Sequence, residues 1–348
     1  MTKVRQSNVE LLRIIAMFLV LIVHANFTSI SCPNINDVET APISSFLRIL
    51  TQSLSLICVN LFVLISGYFG INPKAKSIFN LIFQVVFFRI IAILVVIGLG
   101  LSQLSRGLFI NIIPGSGDWF VMSYLLLILF SPLINSFIKN TTAKQLLTYI
   151  FIFYIIQTLF GWILPIWRSV YYNGYSFISM IGLYLLGRYL NLYKSKLQQI
   201  SAKYLIGTYF LISIFTTSIL FCTIKTFDNF LLLDYAKTVF GSYLSPLVIL
   251  SSVCLFLFVL KFDFRSKIVN WIAASVFAVY LIHCNPYLFT YYLDFCSSLF
   301  EQYNSIQYFF LITLFILSVF ITAIIIDKIR IMTWNAIVKI IHYKIPNF

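Results

Sequence analysis

Three ionisable side chains interrupt an apolar run near the start of the chain: Glu10, Arg13 and His24, within Asn8 to Phe27 (NVELLRIIAMFLVLIVHANF). On a helix turning about 100° per residue, Arg13 and His24 differ in direction by only about 20°, and Glu10 lies about 60° from Arg13. The three share one stripe, with Arg13 and His24 roughly 16 Å apart along the axis. Charges inside such a run face a protein interior or a wet cavity. Arginine supplies a permanent cation for phosphate or another anion. Imidazole can take a proton from a hydroxyl at neutral pH. Glu10, three residues before Arg13, is placed to pair with it and set its direction.

Other groups with chemical reach are scattered along the chain. Tyr280 and His283 lie in Ala278-Val279-Tyr280-Leu281-Ile282-His283-Cys284-Asn285-Pro286, where the proline marks a helix ending or kinking. Asp118 and Trp119 open an apolar helix after the turn Pro114-Gly115-Ser116-Gly117. The tryptophan suits an interfacial belt and the acid a cavity wall. Arg89 sits in the middle of an apolar span, where it needs a partner or water. Ser66-Gly67-Tyr68 closes the second span without the GxSxG setting of a nucleophilic serine, so close helix approach explains it better. Of the six cysteines, none stands in a CxxC or Cys/His metal spacing, and no metal and no permanently bound cofactor is expected.

The elements that must position these groups are membrane helices. The 348 residues are 61% hydrophobic and only 10% charged, against about 25% charged in soluble domains. Apolar segments of spanning length occur near 9–29, 46–69, 79–101, 118–138, 146–167, 176–193, 204–223, 236–260, 268–291 and 305–327. The expectation is an all-α polytopic bundle of about ten helices. Most of the 24 Lys and Arg fall in alternate gaps, leaving only Arg48, Arg106, Arg168, Lys225 and Lys237 for the outer side. This asymmetry places both termini in the cytoplasm and explains the net charge of +14 without nucleic acid as a partner. The basic N-terminus is followed by no small-residue cleavage site, so the first helix is read as retained. Residues 1–330 form one membrane domain, and 331–348 are expected as a cytoplasmic interfacial tail.

Taken together, the motifs resemble those of the acyltransferase-3 family of bacterial membrane acyltransferases. The resemblance rests on Glu10-Leu11-Leu12-Arg13 followed by His24, and on Leu61-Phe62-Val63-Leu64-Ile65-Ser66-Gly67-Tyr68. Trp119-Phe120 with Pro132, and Tyr280-Leu281-Ile282-His283, complete it in the same order over almost the whole chain. It implies an enzyme of the cell envelope, multi-pass in the plasma or inner membrane among its lipids. The implied reaction is O-acetylation: an acetyl or other acyl group passes from acetyl-CoA to a hydroxyl of a polysaccharide or lipid-linked saccharide, as in stand-alone enzymes for capsule or exopolysaccharide. Arg13 and His24 carry over as the functional pair, His24 as general base or as transient acyl carrier. Where many members have paired arginines after the second helix, this chain has Lys74, Lys76 and the single Arg89 as acyl-CoA candidates. Glu10, Ser66, Asp118, Trp119, Tyr280 and His283 are supporting candidates. The alternative from another class is a transporter, flippase or polymerase of lipid-linked saccharides. A flippase would be expected to have more helices and a polymerase a long outer loop.

Overall fold

Wherever lipid surrounds a single chain, its backbone must hydrogen-bond to itself, and an apolar sequence does this by forming helices. A computed structural model describes residues 5–101, 112–113, 117–227 and 230–344. Among these it shows helices and no strand. Arg106 and the turn expected at Pro114 to Ser116 lie outside the described residues.

The segments expected from hydropathy are all helical. Seven are long and apolar enough to cross a membrane: Ser7–Thr28, Pro42–Phe69, Ala75–Gly98, Trp119–Lys139, Ala143–Ile163, Ala202–Thr226 and Ser305–Ile340. Three shorter apolar helices, Phe177–Leu192, Pro246–Val259 and Lys267–His283, complete the set. The protein is thus an all-α, multi-pass membrane bundle.

The helices that build the site are α1 (Ser7–Val23), α2 (Pro42–Ser55), α3 (Cys58–Phe69), α4 (Ala75–Gly98), α5 (Trp119–Lys139) and α6 (Phe177–Leu192). To these are added α7 (Pro246–Val259), α8 (Lys267–Ala273), α9 (Val276–His283) and α10 (Ser305–Lys344). The eighth and ninth apolar segments are less regular than hydropathy suggested. A helix at Phe230–Phe240 ends before Pro246 opens α7, and the ninth segment breaks between α8 and α9. Its end at His283 is followed by Asn285-Pro286 and a separate helix at Phe289–Gln302. Residues 331–344 continue α10 as one helix.

α1 is central, touching α2, α3, α7, α8, α9 and α10. Its first turn is tied down on the Lys-rich side of the bundle. The Ser7 hydroxyl donates to Asn270 Oδ1 at 3.0 Å and accepts from the Ser266 amide at 2.9 Å. The Asn8 amide donates to the Val259 carbonyl at 3.3 Å. At its other end α1 widens into a π-helical turn over His24–Thr28. Such turns re-aim side chains and are frequent at functional sites.

The most extensive packing joins α3 to α6, and two glycines permit it. A Cβ on Gly67 would collide with the Tyr184 carbonyl, and one on Gly187 with the Leu64 carbonyl. Small residues allow this backbone approach where no hydrophobic force drives helices together in lipid. The turn after α3 is then locked by a ring of hydrogen bonds. The Ile71 amide donates to the Tyr184 hydroxyl (2.9 Å), which donates to Asn135 Oδ1 (2.8 Å). Asn135 Nδ2 closes the ring on the Ile71 carbonyl (2.8 Å). α4 is held at two depths. Near its start, Gln84 donates to Asp327 at 3.1 Å, and Arg330 grips Asp327 and donates to Asn80 at 3.0 Å, all between α4 and α10.

Gly67→Ala should push α3 and α6 apart and cost about 1–3 kcal/mol by overpacking. Thermal unfolding in detergent should show a lowered midpoint. Gly207→Ala, whose new Cβ meets nothing within 4 Å inside the helix Ala202–Thr226, should not lower that midpoint and should raise it slightly, since alanine favours a helix over glycine.

Candidate functional site

The widened end of α1 and the end of α9 bring two distant histidines together. His24 Nδ1 lies 3.0 Å from His283 Nε2. The other nitrogen of His283, Nδ1, is 2.7 Å from the Val279 carbonyl one turn earlier in α9. A carbonyl can only accept, so His283 carries its proton on Nδ1 and its Nε2 presents a lone pair. His24 therefore donates from Nδ1, and its own Nε2 is the unprotonated nitrogen. That nitrogen has no hydrogen-bond partner among the described residues. The chain from Val279 to His283 to His24 thus fixes the tautomer and aim of His24, as an orienting group does for a catalytic base.

His24 borders a cavity of about 230 Å³ in the half of the bundle away from the Lys-rich side. Met17, Val20 and His24 supply one wall, at the spacing that keeps residues on one helical face. The other walls are mostly aromatic, with Phe62, Trp119, Tyr175 and Tyr280 among them. Trp119 meets Tyr175 edge-on at 4.6 Å, and Tyr280 stands edge-on to His283 at 6.1 Å. Asp118, the residue before α5, also borders the cavity. Its carboxylate forms an ion pair with Arg89 from α4, and both side chains are buried. Arg89 donates as well to the Ile113 carbonyl.

His24, Tyr280, Trp119 and Asp118 therefore line one cavity, and His283 joins them as the direct partner of His24. Arg13 lies elsewhere. It makes a two-point contact with Glu10 at 3.1 Å and is about one-third exposed. Yet it falls on the face that continues through Met17 and Val20 to His24, on the Lys-rich side. Lys74 and Lys76 are exposed just before and within the first turn of α4. Arg89 is roughly 20 Å further along that helix, with Asp118 rather than with the lysines. Ser66 donates to the Phe62 carbonyl at 2.9 Å and shares a 3.0 Å hydrogen bond with Tyr124, as a helix-packing serine does.

Sequence reasoning passed over Arg188. It projects from the Lys-rich end of α6 against Gly70, and its buried Nε has no hydrogen-bond partner among the described residues. In the sequence it is one of the Lys and Arg of the alternate gaps and counts only toward the charge asymmetry. Gly70, at φ +73°, adopts the left-handed conformation glycine favours and admits the guanidinium.

Comparison with known proteins adds one finding. A family model described as an acyltransferase domain, the third of that name, matches residues 6–327. No curated protein and no solved structure matches the chain.

The Arg89–Asp118 pair makes a separate prediction. Removing one partner of a buried pair strands the other charge, at a cost of about 3–5 kcal/mol. Asp118→Asn and Arg89→Met should each lower the unfolding midpoint sharply. The double variant Arg89→Met/Asp118→Leu should recover much of that loss in the same thermal assay.

Proposed function

Since the chain belongs to the acyltransferase-3 family and is therefore a membrane acyltransferase, we propose that it moves an acetyl group from acetyl-CoA to a hydroxyl of a cell-surface saccharide. In this reading His24 is the general base, and the plasma membrane is the site of action. The observation that carries the reading is the free Nε2 of His24, held by His283 at the wall of an aromatic cavity.

The chemistry balances without another reactant. Nε2 of His24 takes the proton of the acceptor hydroxyl as its oxygen attacks the thioester carbonyl. The tetrahedral intermediate collapses, the carbon–sulfur bond breaks, and the imidazolium returns its proton to the departing CoA sulfur. His283 accepts the Nδ1 hydrogen bond throughout and strengthens it while His24 is charged. An acyl group carried on His24 would use the same Nε2 lone pair, so the site geometry fits either order of events. Direct transfer needs only one barrier's worth of positioning and is the reading adopted here.

Both substrates suit what surrounds that nitrogen. Flat aromatic walls with one carboxylate match a sugar ring, whose C–H faces stack on aromatics and whose hydroxyls donate to an acid. A cavity of about 230 Å³ has room for a single sugar residue with the acetyl group rather than for a polymer strand. The donor's phosphates fit the cytoplasmic, Lys-rich side, where Arg13 and Arg188 offer guanidinium groups and Lys74 and Lys76 add positive potential. The roughly 16 Å between Arg13 and His24 is comparable with a pantetheine arm. One donor molecule can therefore be anchored in the cytoplasm while its thioester reaches His24.

Purified protein in lipid nanodiscs, given labelled acetyl-CoA and a saccharide acceptor, tests the assignment. His24→Ala should lower kcat by about 10²–10⁴-fold with normal insertion and monodispersity, and retained activity would sink the role. His283→Phe should reduce kcat at least about 10-fold with little change in KM for the donor. Arg13→Ala and Arg188→Ala should instead raise that KM about 10–100-fold, each losing a charge-assisted contact of about 1.5–3 kcal/mol. Label retained on acid-quenched protein without acceptor would move His24 from base to acyl carrier.

A further inference from the structure

The residue after His283 turns the histidine pair into a set of three donors. Cys284 Sγ lies 3.2 Å from His283 Nε2 and 3.5 Å from His24 Nδ1, and the two nitrogens are 3.0 Å apart. A zinc ion bound at about 2.0–2.1 Å to imidazole nitrogen and about 2.3 Å to thiolate sulfur holds its ligands roughly 3.3–3.6 Å from one another in a tetrahedron. The observed triangle is within a few tenths of an ångström of those edges. Closing it on an ion requires the two rings, which are tilted 44° to one another, to turn so that both nitrogens point at one centre.

Two further features point the same way. The second nitrogen of His283 is hydrogen-bonded to the Val279 carbonyl at 2.7 Å. This is the outer contact that holds a metal-ligating imidazole in the required tautomer. The triangle also borders the cavity, since both His24 and Cys284 contribute to its wall. The fourth corner of a tetrahedron is thus open to water or to a bound ligand. Two imidazoles and a thiolate suit a borderline ion such as Zn²⁺ and not the oxygen-seeking Mg²⁺ or Ca²⁺.

We propose that His24, His283 and Cys284 form an inhibitory Zn²⁺ site that competes with catalysis for the same imidazole. Without the ion, the proton on His24 Nδ1 lies between the rings and Nε2 is free. To ligate through Nδ1, His24 shifts that proton to Nε2 by way of water in the cavity. Cys284 gives up its thiol proton to solvent, so one proton is released for each ion bound and nothing is oxidised or reduced. With Nε2 protonated, His24 cannot accept the proton of a hydroxyl. The inhibition rests on His24 being the base; the binding of the ion does not.

The test uses the full-length protein in nanodiscs, stripped of metal by chelator. Added Zn²⁺ is followed by elemental analysis and by competition with a chromophoric chelator, and acyl transfer is measured in parallel. The expected result is one Zn²⁺ per chain, with transfer lost as the site fills and restored by EDTA. Cys284→Ser and Cys284→Ala should each lose that ion, and the Zn²⁺ concentration for half-inhibition should rise at least about 10-fold, read against each variant's own metal-free rate. Cys222→Ser, which removes an exposed thiol, should leave stoichiometry at one and serves as the control. Monodispersity and thermal midpoint report whether each variant has folded. No bound Zn²⁺ in the parent protein, or equal binding in well-folded Cys284 variants, overturns the site. Zinc that binds through Cys284 yet leaves transfer untouched supports the site and overturns the role of His24 as base.

Discussion

The hydrogen bond between His24 and His283 is the constraint around which the functional half of the bundle is arranged. It joins residues 259 positions apart, so it exists only if α1 and α9 end at the same depth and face one another. The π-helical turn at His24–Thr28 and the end of α9 at His283 meet that condition together. The bond also has a direction, because the Val279 carbonyl can only accept. That direction runs from a backbone atom, through two imidazole rings, to the one nitrogen of the pair left without a partner among the described residues, on a residue that lines the cavity. A fixed tautomer is what distinguishes a base held ready from a histidine that merely packs.

The polar groups elsewhere in the bundle obey a different rule. Asp327 with Arg330, and Asp118 with Arg89, are buried ion pairs, backed by Gln84 and Asn80 at the first and by the Ile113 carbonyl at the second. Taking such groups out of water costs several kcal/mol per ion unless each is paired, and here they clamp α4 to α10 and to the start of α5. Arg13 and Arg188 stand apart. Glu10 meets Arg13 on one side only and leaves it about one-third exposed, while the buried Nε of Arg188 has no hydrogen-bond partner among the described residues. Buried, ion-paired Arg89 and Arg330 clamp helices together, whereas the partly exposed Arg13 and the Arg188 without a carboxylate partner among the described residues are the guanidinium groups that the proposed function assigns to an anion.

The bundle was largely legible in the sequence because lipid makes hydropathy a direct constraint on the backbone. Apolar runs of spanning length had to be helical, and each is helical over most of its length, the eighth and ninth with breaks. The stripe of Glu10, Arg13 and His24 was equally readable, since helical periodicity alone puts those residues on one face. What periodicity cannot supply is a contact between helices distant in sequence. His283 was a candidate by its motif, but its bond to His24 depends on where two helices stop. The same gap hid the sulfur and nitrogens now found within 3.5 Å of each other, because Cys/His spacing along the chain says nothing about a ligand from another helix. Arg89 shows the converse. Its sequence neighbourhood suggested the donor side, but its depth in α4 carries it to Asp118.

If Arg13 holds the donor and His24 takes the proton, as proposed, one helix carries both ends of the reaction, and that has a physical consequence. α1 is fixed on the Lys-rich side by Ser7 and Asn8 and at the other end by His283, so the separation between Arg13 and His24 is set by the rise of a helix that cannot easily lengthen. A donor anchored by its phosphates near Arg13 must present its thioester at one depth, and only an arm of matching length reaches Nε2. Selection for CoA-linked acyl groups can then come from distance rather than from contacts with the acyl chain. The acceptor has no such ruler and depends on the aromatic walls. On the proposed function, acyl donors and acceptors would thus be sorted by different physics on the two sides of one histidine, and variation in the cavity wall would change the acceptor without disturbing the donor.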